Sequence, residues 1–159
     1  MKKIKNPYQK VDNYNCFGCS PNNPIGLHLT FTVDHNEVVS YWTPTHQYEG
    51  WCNILHGGIQ ATLMDEISSW VVFSLLKTSG YTVKMNVQLH KKIFINDGTL
   101  EIRASLRNKK MNLAIIEVKI LNAHQEVCSE GEFTYFTYSN EIAKERFYFP
   151  ENEQDLFED

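Results

Sequence analysis

The sequence lacks the features that mark several whole classes of protein. No apolar run comes near the roughly 18 uninterrupted residues that a membrane span needs, so no membrane partner is expected. The opening stretch, MKKIKNPYQKVDNYN, is basic but has no apolar core. A secretory signal is therefore not expected, and the expected location is the cytoplasm. Charge of one sign is scarce outside the end of the chain. Residues 141–159 hold seven acidic and two basic side chains, whereas the rest holds twelve acidic and thirteen basic. A near-neutral body has no basic face for nucleic acid, so no such partner is expected. Phosphate-binding Gly-rich loops, a GxSxG elbow and an HExxH helix are all missing.

Cysteine is sparse, with Cys16, Cys19, Cys52 and Cys128. In a cytoplasmic protein these are not expected to pair. Cys16-Phe-Gly-Cys19 has the spacing of half a zinc site, but no second CxxC or HxxxH completes it. It precedes Pro21, Pro24 and Gly26, in a loop rather than between a strand and a helix, which argues against thioredoxin-type redox chemistry. The expectation is a tight turn, with no metal and no cofactor. The six histidines show no ligand spacing. His28, His35, His46 and His124 fall in polar alternation or turns, and His90 lies on the polar side of a strand.

What is present fits one globular domain. The chain has 159 residues, of which 42% are hydrophobic, enough for one self-sufficient core. Residues 1–26 read as an irregular segment, broken by Pro7, Pro21 and Pro24. From Leu27 to Val33 apolar and polar residues alternate, as in a half-buried strand, and Glu37–Thr43 reads as its hairpin partner. Ile59–Lys77 has no Pro or Gly and predicts a long helix, apolar nearly all round, with Gly80 as its stop signal. Four strand-like runs follow, at 82–95, 100–106, 113–121 and 126–138, joined by short turns. In the first of them Val83, Met85, Val87 and Leu89 share one face. The order predicts an α+β fold: one antiparallel sheet curled around one helix, over residues 27–139. An acidic, aromatic tail occupies 140–159.

Two carboxylates, Asp65 and Glu66, interrupt that apolar helix. Burial without a partner is costly for a charge. Thr62 and Ser69 share a helical face with Asp65. Either the carboxylates reach solvent and nearby hydroxyls, or one of them is catalytic. His56-Gly57-Gly58 stands at the helix start, where unpaired N–H groups and the positive dipole end favour an oxyanion. Glycine allows a ligand oxygen to come close there. His56 reads as a positioning residue ahead of a general base. Seven residues separate Gly58 from Asp65, about 10 Å of helix. One carbonyl cannot meet both, so their joint action predicts a site shared by two copies across a two-fold axis.

The segment YEGWCNILHGGIQATLMDE, residues 48–66, resembles the hotdog-fold thioesterases of the 4-hydroxybenzoyl-CoA and phenylacetate-pathway type. CFGCSPNNPIGLHLTF (16–31) resembles the opening of one branch of that group, and TVKMNVQLHKKI (82–93) its strand after the central helix. The resemblance implies a hotdog fold, a homodimer often paired into a tetramer, and hydrolysis of an acyl-CoA thioester, with coenzyme A entering only as part of the substrate. At matching positions it implies Asp65 as base or nucleophile, with Glu66 as the alternative carboxylate. It implies Gly58, with Gly57, as the carbonyl-polarising N–H and His56 as a positioning residue. Lys91, Lys92, Lys109 and Lys110 fall where coenzyme A phosphates are often met. The acyl pocket is expected to be apolar, with Trp51, Leu55 and Met64 as lining. Asn53 is expected among the substrate-binding residues, at a place where similar proteins often carry Gly or another small residue. A non-catalytic acyl-CoA binding module and, further off, a hotdog dehydratase are the alternatives.

Overall fold

The computed structural model describes residues 1–158. Its strands are β1 (Lys2–Lys3), β2 (Thr32–Asp34), β3 (Glu37–Trp42), β4 (Gly80–Leu89), β5 (Leu100–Lys110), β6 (Leu113–Leu121) and β7 (Val127–Thr137). The helices are α1 (Gly57–Ser74) and α2 (Asn140–Arg146). The strands form one antiparallel sheet in the order β1-β2-β3-β5-β6-β7-β4. The helix α1 lies across it, in contact with β3 through β7. This is the α+β arrangement the element order predicts. Among the described residues, no helix is long and apolar enough to cross a membrane.

Why α1 is apolar all round is explained by what covers it. Leu63, Met64, Ile67 and Val71 are fully buried among the inward rows of the sheet, Leu100, Ile102 and Ala104 on β5, Ala114, Ile116 and Ile120 on β6, and Phe133 and Tyr135 on β7. The opposite side of α1 is covered by the chain's beginning and by its tail. Phe31 stacks on Trp70 at 5.0 Å between ring centroids, and Tyr8 and Phe149 pack on Phe73. The helix is thus held between a sheet and a strap, which is the burial that such a pattern demands.

Several boundaries differ from the sequence expectation, each for a local reason. The alternation at Leu27, Leu29 and Phe31 does report burial, but the ladder begins only at Thr32. His28 has φ +53, a left-handed conformation that breaks an extended run. The helix ends at Ser74 rather than Lys77, because Lys77 takes φ +57 and turns the chain. Gly80 opens β4 instead of stopping the helix. Residues 1–26 are not wholly irregular: Lys2 and Lys3 pair with Val33 and Thr32. A two-residue strand has no period to read. The tail docks, with Leu156 buried and its carbonyl accepting the Lys5 N–H at 2.8 Å.

β4 is an edge strand, and its row facing α1 is set by a bulge. Thr82 pairs with Tyr135, then Lys84 with Thr134 and Met85 with Phe133, so Val83 is the extra residue. The inward row is therefore Thr82, Met85, Val87 and Leu89, and Val83 is not in phase with it. Gly131, between Ser129 and Phe133 on the inward row of β7, lets the helix lie close. A Cβ there would stand 2.6 Å from Phe133 Cε2 and 3.0 Å from Met64 Sδ. Gly131→Ala is expected to destabilise the fold by about 1–3 kcal/mol through overpacking. A shift in the urea unfolding midpoint measures it.

Candidate functional site

The long loop before α1 is shaped by Asn53, which has φ +59. Asn is, after Gly, the residue that tolerates this region best. Its Oδ1 accepts the Asn96 N–H at 3.1 Å, and its own N–H donates to Glu49 Oε1 at 2.8 Å. Asn53 thus spends its polar groups on the loop. The same loop delivers His56 as the N-cap of α1, with Nδ1 accepting the Gly58 N–H at 2.9 Å. The proton of a neutral imidazole then sits on Nε2.

That bond changes which glycine is open to a ligand. The Gly58 N–H is engaged by His56, whereas the Gly57 N–H has no hydrogen-bond partner among the described residues. Gly57 also lines a cleft of about 510 Å³ with Trp51, Leu55, Leu89, Lys91 and Lys92. Trp51 is 81% exposed at its mouth. Leu55 is almost fully buried beneath it, and Met64 lies in the core, away from the cleft. Gln60 ties this end of the helix to β7, with Nε2 donating to the Leu55 carbonyl and Oε1 accepting from Ser129.

Two turns along the helix, Asp65 faces β4. Its Oδ1 accepts hydroxyls from Thr82 at 2.6 Å and Tyr135 at 2.8 Å. Burial, and then the charge of Asp65, push the Tyr135 phenol well above its ordinary range, so it remains a donor. Oδ2 has no protein partner among the described residues. The helix hydroxyls expected beside Asp65 turn elsewhere: Thr62 donates to the Gly58 carbonyl and Ser69 to the Glu66 carbonyl. Thr82 and Tyr135 carried no signal in the sequence, because a bulge and a sheet pairing bring them there.

Glu66 points to a different place. It is largely buried against the N-terminal strap, where Trp70 Nε1 donates to its Oε1 at 3.1 Å and the Cys16 thiol lies 3.7 Å from both oxygens. Burial, and then the neighbouring Cys16 charge, push its carboxyl up to about 7. The Cys19 side chain and the N–H groups of Cys19 and Gly18 draw the Cys16 thiol down to about 5. The two carboxylates therefore serve separate sites.

The basic pairs do not converge within one chain. Lys91 and Lys92 edge the cleft beside Gly57, and Lys91 pairs with Glu126 at 2.8 Å. Lys109 and Lys110 lie across β6 and β7 from the Gly80 end of β4. Some 25 Å of strand separates the two pairs. Along the open side of α1, the β4 edge exposes Met85 (57%) and Leu89 (49%), with the bulged Val83 (50%) next to them, an apolar strip beside Gly57 and Asp65.

Comparison with known proteins agrees with this architecture. Residues 53–129 match the family model of the thioesterase superfamily. A hypothetical thioesterase from Streptococcus pneumoniae, solved with coenzyme A, is 25% identical with a TM-score of 0.62, over 65% of this chain and 82% of that one. The Streptococcus mutans protein smu.793, bound to acetyl CoA, shares the fold at 17% identity and TM-score 0.64, over 82% and 97% of the two chains. Escherichia coli PaaI, from the phenylacetic acid degradation operon, does so at 17% and 0.64, over 71% and 81%. No curated protein sequence matches the chain. The matched segment carries the glycine-led helix and strands β4 to β6, and over it the chain resembles the thioesterase superfamily, whose fold its structural neighbours share.

Proposed function

We propose that the protein is an acyl-CoA thioesterase whose site is assembled from two copies of the chain. The observation that carries this reading is the setting of Asp65. Two hydroxyls fix one carboxylate oxygen, and the other is unpartnered beside an open, apolar strand edge. A carboxylate so held is oriented for attack or for taking a proton from water. The coenzyme A in the Streptococcus pneumoniae relative supports the choice of substrate.

In this reading the thioester carbonyl oxygen accepts from the Gly57 N–H, at the positive end of α1. His56 keeps the Gly58 N–H occupied and so fixes the backbone of the first turn. Asp65 takes a proton from water as the hydroxide adds to the carbonyl carbon. The carbon–sulfur bond then breaks, and the proton passes to the leaving thiolate of coenzyme A. In the nucleophilic variant Asp65 attacks the carbonyl carbon, the carbon–sulfur bond breaks and coenzyme A leaves as its thiolate, and water then cleaves the acyl-Asp65 anhydride to the free acid and Asp65. Asp65 stands eight positions after Gly57, about 12 Å of helix rise. Each carbonyl thus meets Gly57 of one copy and Asp65 of the other, with the β4 edges adjoining. The acyl group lies against Trp51, Leu55 and Leu89. Lys91 and Lys92 meet the phosphates from one copy, and Lys109 and Lys110 approach the same cleft only from the other.

Free-thiol release from a panel of acyl-CoAs is the test. Wild type is expected to hydrolyse at least one, and Asp65→Asn to lose about 10²-fold or more, the scale of a general base. Binding without turnover by wild type would make the chain a binding module instead. Met85→Glu, in the middle of the exposed strip, is expected to give a folded monomer in sedimentation with little hydrolysis. A fully active wild-type monomer would contradict the shared site.

A further inference from the structure

The group that the thioesterase chemistry leaves unused is the cluster of Cys16, Cys19 and Glu66. Its three ligand atoms lie within 4.8 Å of one another, although Glu66 is 47 residues beyond Cys19. We propose that these residues bind one divalent zinc ion, which pins the N-terminal strap to the middle of α1.

The spacing fits a tetrahedral ion. Zinc holds a thiolate at about 2.3 Å and a carboxylate oxygen at about 2.1 Å, which sets sulfur and oxygen about 3.6 Å apart. Cys16 Sγ stands 3.7 Å from each oxygen of Glu66. Two sulfurs and one oxygen are a donor set that suits zinc over magnesium or calcium.

The surroundings of the two sulfurs are polar. The Cys16 sulfur lies within 4.8 Å of the Cys19 sulfur and of a Glu66 oxygen. On the other sulfur, the Asn6 amide donates to Cys19 Sγ at 3.7 Å and the Tyr14 hydroxyl lies 2.8 Å away. The Cys19 sulfur thus sits among polar groups rather than in a purely apolar pocket. Such outer hydrogen bonds are what orients ligands at metal sites. Gly18 lets the loop close on the helix, since a Cβ there would fall 2.4 Å from the Glu66 carboxyl.

What the cluster lacks is a cation. Glu66 forms no ion pair with Lys, Arg or His among the described residues, and its donors are Trp70 and a thiol. A neutral Glu66 would relieve its own burial, but it would not explain the groups gathered on the sulfurs. Zinc answers both needs and releases the thiol protons to solvent on binding. The fourth position belongs to water in the adjoining cleft of about 240 Å³, lined by Tyr14, Ser69 and Ser79.

The full-length protein, purified without chelator under reducing conditions, is assayed for metal and titrated with Zn²⁺ or Co²⁺. The expected result is one metal per chain. Cobalt should give a thiolate charge-transfer band in the near ultraviolet and the visible bands of a four-coordinate site. Cys16→Ser, Cys19→Ser and Glu66→Gln should each weaken binding by more than about tenfold, while Cys52→Ser should not. Chelation should lower the melting temperature of wild type. The wild-type cobalt spectrum stands even where a variant fails to fold. No stoichiometric metal, no thiolate-to-cobalt band, or full binding by the Cys16→Ser, Cys19→Ser double variant would overturn the proposal. A Cys16–Cys19 disulfide that persists in reductant would do so too.

Discussion

Everything at the candidate sites depends on enclosing α1. A helix apolar on nearly every side is stable only when nearly every side is covered. The sheet covers one flank, and the strap of residues 6–31 covers another through Phe31, Tyr8 and the Cys16 loop. The flank beside β4 is left open. It presents Gly57 at the helix start, Asp65 two turns on, and the apolar residues of an edge strand. An exposed, long, apolar edge invites pairing with another chain. The same incompleteness that leaves the domain sticky leaves its polar helix atoms accessible.

The adjacent carboxylates illustrate how one helix serves two purposes. Successive residues on a helix point about 100° apart. Asp65 turns toward Thr82 and Tyr135 at the open flank, and Glu66 toward two cysteines under the strap. Each acid has its own set of partners, and neither set overlaps the other. In the proposed reading, this separation gives the chemistry to Asp65 and the fastening of the strap to Glu66. A loosened strap would uncover Trp70 and Phe73 and weaken the support beneath Asp65.

Much of this was legible in the sequence because periodicity reports burial. The helix, the four later strands and the enclosed character of α1 follow from the spacing of apolar residues, and the Asp65–Glu66 anomaly stands out against that background. Other features left no local trace. The bulge at Val83 shifts the phase of β4, so Thr82 joins the inward row that alternation assigns to Val83. The Asp65–Tyr135 contact spans 70 residues and depends on sheet order. The third member of the cysteine cluster is equally remote from its CxxC. At the helix start, the tripeptide His56-Gly57-Gly58 implied an N–H donor, but only the His56 cap decides between the glycines.

The most direct test of the shared site mixes two crippled chains. Asp65→Asn and Gly57→Val are each expected to be nearly inactive alone. In a dimer that contains one of each, one of the two sites regains an intact Asp65 and an intact Gly57. Random re-association makes half of the dimers mixed, so roughly a quarter of wild-type hydrolysis should return. Recovery near that level, absent when either variant is diluted with itself, is the predicted result. No recovery from folded, exchanging dimers would contradict a site built from two copies.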